Sequence, residues 1–284
     1  MGDRLRPLWD FDDLDATEER LQAQLAREPT DAGRAEVLTQ LARVEGLRGR
    51  FEDAEALLRE AEALAGASSA ACARIQLERG RKLRSGGEVA ASLPLFERAV
   101  EAALEAGEEF VAVDAAHMAA IAAPDRYGVL EWTRRGVTLA ESSGDPDVGY
   151  WLGPLLNNLG WTHFEAGDHE AALAAFEDAL RAREERPQEE YAVEIARYAV
   201  GRALRALGRA SEAVALLEQA VAWAERTGQP DAYFHEELAE GYAALGRRDE
   251  AREQAARALA LVDAAAEPER ASRLRELLET TGHA

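Results

Sequence analysis

An all-α fold built from repeated helix pairs is what this sequence predicts, and three observations predict it. Alanine is abundant in a chain of 284 residues with only 9 prolines, and alanine loses no side-chain entropy on entering a helix. One phrase then recurs along the chain: Gly, four residues, a small residue, three residues, a large apolar residue, two residues, Ala. It reads Gly49, Ala54, Leu58, Ala61; Gly87, Ser92, Phe96, Ala99; Gly167, Ala172, Phe176, Ala179; and Gly208, Ala213, Leu217, Ala220, with a fifth copy at Gly246, Ala251, Ala255, Ala258. Upstream of these glycines lies a second helical phrase, clearest in Leu156-Asn-Asn-Leu159-Gly160-Trp-Thr-His163 and again in Val200-Gly201-Arg-Ala-Leu204 and Leu238-Ala239-Glu-Gly-Tyr242.

The elements follow in order. Residues 1–34 form an acidic opening and a capping helix, because Asp15-Ala-Thr-Glu-Glu-Arg-Leu places acids in a first helical turn, where the helix dipole favours them, and Pro29 ends the run. Residues 35–264 carry the repeats. Each glycine suits a tight helix-to-helix turn with positive φ, and the later positions, stepping by four and three, mark one face of the following helix. Small residues at Ala42, Gly80, Gly160, Gly201 and Ala239 let the paired helix approach closely. With a degenerate unit placed at about residues 110–144, the small seam residues are spaced by 38, 37, 43, 41 and 38. In that third unit Pro124 replaces the turn glycine and Gly136 the seam alanine, so its helix pair is expected to be shortened or tilted. Residues 265–284 read as a terminal cap whose charges alternate around a thin apolar stripe.

Composition bounds the function. Hydrophobic residues make up 47% and charged residues 31%, enough apolar material for a core. The 33 Lys+Arg against 54 Asp+Glu give a net charge of −21, which argues against a surface that grips nucleic acid or an anionic membrane. No run of about 18 apolar residues and no signal-peptide pattern is present, so a cytoplasmic protein without a membrane partner is expected. The single cysteine, Cys72, reads as a small buried residue. Usage rich in Ala and Arg and poor in Lys points to a GC-rich bacterial genome.

A search for chemistry returns little. His169-Glu170 and His235-Glu236 begin like a zinc helix, yet Leu173 and Ala239 stand where the second imidazole is needed. His117, His163 and His235 fall at or near packing positions. The acidic stretch Asp10-Phe-Asp-Asp-Leu-Asp15 lacks the glycine and the bidentate Glu of a calcium loop, and reads as helix capping. No glycine-rich phosphate loop, dinucleotide fingerprint or nucleophile elbow occurs. The expectation is no catalytic residue, no metal and no cofactor.

The phrases resemble the tetratricopeptide repeat, whose two-helix unit reads W-x2-L-G-x2-Y and then A-x3-F-x2-A. The resemblance covers about residues 35–264, and its spacings, longer than 34, are similar to the longer-unit variants of kinesin light chains and bacterial peptide-sensing regulators. It implies a right-handed superhelical solenoid of about six helix pairs with capping helices at both ends. It also implies that unit positions 2, 5, 9 and 12 of each first helix line an inner groove. Carried onto this chain, those positions include Arg43, Arg74, Arg81, Arg84, Asn157, Trp161, Phe164, Tyr198, Arg202, Arg205 and Tyr233. Over the 24 such positions there are six Arg and four acids, so 6 − 4 = +2, and four aromatics. Guanidinium groups pair bidentately with carboxylates, and aromatic rings give rigid contact area. Asn157 matches asparagines that clamp a peptide backbone in peptide-binding members. The expected function is therefore a non-enzymatic scaffold that holds an extended acidic or C-terminal segment of a protein or peptide partner. The alternative is a peptide-responsive sensor acting through a separate partner. The opening Leu8-Trp-Asp-Phe-Asp-Asp13 is itself aromatic and acidic. It is expected to pack on the first repeat, or to dock in the groove of its own chain or of a second copy in a homodimer.

Overall fold

The computed structural model describes residues 3–186 and 189–280. The five repeat glycines, Gly49, Gly87, Gly167, Gly208 and Gly246, all adopt positive φ, from 71° to 90°. After each one, the next residue donates its N–H to the carbonyl five positions back: Arg50 to Glu45, Glu88 to Leu83, Asp168 to His163, Arg209 to Leu204 and Arg247 to Tyr242, at 2.9 or 3.0 Å. This is the helix-terminating hydrogen bond of a left-handed C-terminal residue, and it closes the first helix of a pair.

Two compact units result, Met1–Leu155 and Leu156–Ala284. In the first, a 3-10 turn at Arg6–Leu8 leads into α1 (Leu14–Leu25), followed by the pairs α2 (Asp31–Leu47) and α3 (Phe51–Ala65), α4 (Ser69–Ser85) and α5 (Val89–Ala106), and α6 (Glu109–Ala122) and α7 (Arg126–Ser142). A short α8 (Pro146–Gly149) follows, and α9 (Leu152–Glu165) crosses the division between the units. The second unit continues with α10 (His169–Glu184), the pair α11 (Glu190–Ala206) and α12 (Ala210–Thr227), the pair α13 (Ala232–Ala244) and α14 (Arg248–Leu261), and α15 (Pro268–Thr280). Among the described residues there is no strand. Within each unit the first helices of successive pairs touch, α2 with α4, α4 with α6 and α11 with α13, so they share one face.

The seam between paired helices follows one spacing. The small residue of the first helix meets the residue 16 positions on: Gly80 faces Phe96, Gly160 faces Phe176 and Gly201 faces Leu217. Where the seam residue is alanine, the partner is smaller than phenylalanine, Leu58 for Ala42 and Ala255 for Ala239. A Cβ on Gly160 would lie 2.3 Å from the Phe176 ring, so the glycine is what admits that ring.

The irregular third pair is resolved by an insertion. No glycine ends α6; Ala123 is extended before Pro124 and the Asp125 side chain accepts from Gly128 N to start α7. A Cβ on Gly136 would lie 2.9 Å from Leu155, so this seam glycine admits a residue of α9 rather than of its own pair. The added α8 buries Val148 fully beside Phe110, Val113, Ala140 and Leu155.

Two helix starts are set locally, and one environment differs from expectation. α2 starts at Asp31, four residues before 35, because Thr30 accepts from Gly33 N and caps it. The C-terminal cap helix starts at Pro268 and buries Ala271 and Leu274. Cys72 is exposed: it points outward from α4 between the buried Ala71 and Ala73, the reverse of the expected packing role. No described helix is long and apolar enough to cross a membrane.

Candidate functional site: the first-helix face

The six arginines expected to line the first helices have different fates. Arg74, on α4, is 2% exposed and is held by a bidentate contact with Asp3, at 2.6 and 3.2 Å, and by Glu108 at 3.3 Å. Burial alone would lower its pKa, and the carboxylates of Asp3, Glu108 and Glu36 more than reverse this. Arg81 pairs with Glu78 one turn back and with Asp114 on α6. Burial would raise the Asp114 carboxyl, yet Arg81 and Arg43 hold it below the ordinary carboxylate range. Both arginines are thus engaged by buried acids, an arrangement whose loss of one partner leaves an uncompensated charge. Arg43 lies 4.0 Å from Asp114 and stacks over Trp9 and Phe11, at 5.1 and 5.3 Å to the ring centroids. Arg84 makes no ion pair among the described residues, and its Nε is buried without a hydrogen-bond partner.

The opening segment lies on this face of the first unit. Trp9 donates Nε1–H to Gln40 Oε1 of α2 at 3.0 Å and stacks on Phe11, centroids 4.9 Å apart. Arg6 sits over Phe110 of α6 at 4.9 Å and over Tyr150 at 4.5 Å. Trp9 and Phe11 therefore pack on the first repeat, on the side where Arg43 points. Gln40 was not among the expected residues; it lies on α2 three positions before Arg43, which was.

In the second unit the expected residues come together. Helical steps of four and three put Asn157, Trp161 and Phe164 on one stripe of α9, and Tyr198, Arg202 and Arg205 on one stripe of α11. Trp161 stands edge-on to Phe164 and Phe176, with centroids 5.6 and 5.0 Å away, and 6.3 Å from Tyr198; Tyr198 is 6.3 Å from Tyr233. The Arg202 guanidinium lies over Trp161 at 5.6 Å and over Phe164 at 5.5 Å, and donates to Tyr198 Oη at 2.8 Å. Burial pushes the Tyr198 phenol above its ordinary value, partly offset by Arg202, so the hydroxyl stays neutral and can accept. Arg205 donates Nε–H to the buried Glu237, which also lies 3.7 Å from Arg202. Asn157 is half-buried, and its Oδ1 has no hydrogen-bond partner.

Beside this platform opens a cavity of about 720 Å³, lined by Arg202, Arg205, Tyr233, Glu236, Glu237 and Arg270 among others. Arg270, from α15, sits 3.7 Å over the Tyr233 ring and pairs with Glu236. Its place on the terminal cap hid it from a reading by repeat position. His235 is packed inside, 5% exposed with Nδ1 2.7 Å from Gln254 Oε1, and His163 Nδ1 is 3.2 Å from Asp168 in an exposed polar contact. Among the described residues no group of three His, Cys, Asp or Glu could hold a metal.

Comparison with known proteins agrees with this construction. Models of the tetratricopeptide repeat match residues 34–64, 155–186 and 196–227, and a further one matches residues 232–257. No curated protein sequence matches the chain. Among solved structures, the chain is similar to a signal-transduction ATPase with numerous domains from Pyrococcus horikoshii that carries a tetratricopeptide repeat sensor, with a TM-score of 0.73 and 15% identity over 94% of this chain. It spans 41% of that protein's length. It is also similar to the apo form of RapI, with a TM-score of 0.74 and 12% identity over 93% of this chain and 79% of that one. The quorum sensor NprR from B. thuringiensis gives a TM-score of 0.61 and 14% identity over 98% of this chain and 85% of that one. These identities speak for the fold. Helix pairs closed by positive-φ glycines, seams of fixed spacing and four matched segments lead to one conclusion: the chain carries tetratricopeptide repeats over residues 34–64, 155–186, 196–227 and 232–257.

Proposed function

We propose that the chain is a non-enzymatic interaction module that holds an extended segment of a protein or peptide, bearing carboxylates, against the first-helix face of its second unit. The observation that carries this reading is the Arg202 guanidinium, 36% exposed and bedded on Trp161 and Phe164. A cation presented on aromatic rings beside an open cavity suits a side-chain or terminal carboxylate. Tyr233, 49% exposed and backed by the buried Tyr198, extends the platform by rigid contact area that costs little entropy to order. Asn157 lies on the same stripe of α9, its side-chain oxygen buried and without a hydrogen-bond partner.

The test uses two fluorescein-labelled peptides, one rich in Asp and Glu with a free carboxyl terminus, the other its amidated Asn and Gln counterpart. The acidic peptide is expected to bind wild type at least about tenfold more tightly, about 1.4 kcal/mol. Arg202→Gln with Tyr233→Ala is expected to abolish that preference while circular dichroism stays unchanged. Equal binding of both peptides, or binding indifferent to the double substitution, would sink the reading.

A further inference from the structure

The opening segment divides into two halves with different physics. Asp3 and Leu5 belong to the core: Asp3 neutralises the buried Arg74, and Leu5 is 1% exposed, packed with Leu21 and Leu38. Trp9 and Phe11 lie further out: Phe11 is 60% exposed and Trp9 is half-buried against the edge of that cluster, the side chains held by one hydrogen bond to Gln40 and by stacking under Arg43, and the backbone between them by a reciprocal pair of hydrogen bonds between Asp10 and Thr17. A side chain deep in the core is lost only with the fold, whereas a half-exposed contact of this kind opens locally. Between segment and helices remains a cavity of about 160 Å³, lined by Trp9, Phe11, Gln40 and Arg43 among others, so the outer half does not close down on the face as core packing would.

We infer that the Trp9–Phe11 half is a displaceable plug, and that the Gln40 and Arg43 surface beneath it is a second binding surface of the protein. The plug displays the chemistry the surface accepts. Gln40 Oε1 takes an indole N–H, and Arg43 takes stacked aromatic rings on one side while its charge favours the acids that flank them, Asp10, Asp12 and Asp13. The partner it fits is an extended segment of another protein in which two aromatic residues, one able to donate an N–H, alternate with carboxylates. A segment already tethered to the chain competes at high effective concentration, so an external partner binds where its own contacts, or a simultaneous hold elsewhere, outweigh that advantage. This inference does not depend on the reading of the second unit, since it involves none of its residues.

The experiment adds a labelled peptide of residues 8–13, Leu-Trp-Asp-Phe-Asp-Asp, to wild type and to Trp9→Ala/Phe11→Ala, which leaves Asp3 and Leu5 in place. The vacated variant is expected to bind the peptide at least about tenfold more tightly than wild type, a scrambled peptide to bind neither, and Arg43→Gln in the vacated background to remove the binding. A peptide that binds neither protein, or both equally, while circular dichroism and the melting temperature report an intact fold, overturns the inference. If the vacated variant is found unfolded, the same peptide titrated into wild type decides the matter through the environment-sensitive emission of 5-hydroxytryptophan at position 9: release is expected, and no change at saturating peptide overturns it. Sedimentation supplies the remaining arm, because a wild-type dimer that becomes monomeric in Trp9→Ala/Phe11→Ala means that the plug is exchanged between copies, which overturns a surface closed from within its own chain.

Discussion

Substituting Gly160 by alanine tests whether seam volume sets the packing of the second unit. The added Cβ would lie 2.3 Å from both Cδ1 and Cε1 of Phe176 and 2.9 Å from Cγ. Ordinary carbon contacts are about 3.5–4.0 Å, so a shift of more than about 1 Å is needed. The ring has nowhere to go, since Phe176 is fully buried with Trp161 5.0 Å from its centroid. Overpacking of this kind costs about 1–3 kcal/mol, and the upper end applies to a ring so enclosed. Alanine gains about 1 kcal/mol over glycine in an α-helix interior, leaving a net loss of about 2 kcal/mol. The chain supplies its own remedy in the pair Ala42 and Leu58, which form a single cluster in the first unit. Gly160→Ala/Phe176→Leu is therefore expected to be more stable than the sum of its single variants by at least about 1 kcal/mol, measured as the coupling in a double-mutant cycle of urea unfolding. Because Trp161 rests on Phe176, the single variant is also expected to shift tryptophan emission, and the double variant to shift it less. A Gly160→Ala protein as stable as wild type, or strictly additive effects in the cycle, would refute the argument that the glycine is there to admit the ring.

Acid stability should fall in two stages. Burial, with Arg81 and Arg84 adding to it, holds the His117 imidazole below its ordinary 6.5 despite the nearby Asp114. The unfolded chain therefore takes up that proton first, and the stability His117 contributes is complete above pH 6.5 and declines as pH falls below it. Asp114, held below its ordinary 3.8, contributes stability that is complete above that value and is lost as pH falls through its lowered one. Melting temperatures followed from pH 8 to 3 are expected to show both declines, and His117→Phe to remove the first; a profile flat between pH 6.5 and 5 in wild type would contradict the assignment. At the alkaline end, burial and a 2.7 Å hydrogen bond to Glu218 push the Tyr242 phenol up to about 12. Its contribution is complete below pH 10.0, the ordinary phenol value, and is lost as pH rises toward 12. Ultraviolet titration should show a late-titrating tyrosine fraction, to which Tyr198 and Tyr191 also contribute, that shrinks in Tyr242→Phe.

The fold was legible because its determinants are local. A glycine five residues before a small seam residue announces a turn and a helix in one phrase, and the left-handed closure needs no partner from elsewhere in the chain. The third pair was legible only as an anomaly. Pro124 showed that the turn must differ, but nothing in the periodicity announced α8, whose four residues are too few to display a helical stripe and whose place is secured by burial of Val148. Cys72 shows the same limit: a helical residue next to two buried alanines is one hundred degrees of rotation away from them, and composition cannot say on which side it falls.

The candidate site was half legible for a reason of distance. Besides Glu78 on its own helix for Arg81 and Asp3 for Arg74, acids that engage these arginines come from the next repeat, 33 residues away for Arg81 and Asp114, 34 for Arg74 and Glu108, and 32 for Arg205 and Glu237. Counting residue types over repeat positions gathers the cations correctly but cannot pair them. Four carboxylates that the count omitted, Asp3, Glu78, Glu108 and Glu237, engage the same arginines; including them turns 6 − 4 = +2 into 6 − 8 = −2. The face is thus distinguished less by net charge than by where its guanidinium groups sit. Arg74 and Arg81 are enclosed with acids, whereas Arg43 and Arg202 each lie over a pair of aromatic rings. The first of those two already carries Trp9 and Phe11 from the chain's own opening segment. Arg202 is bedded on rings of its own scaffold and still exposes a third of its side chain, which is why the second unit, and not the more arginine-rich first one, is the better place to look for a bound partner.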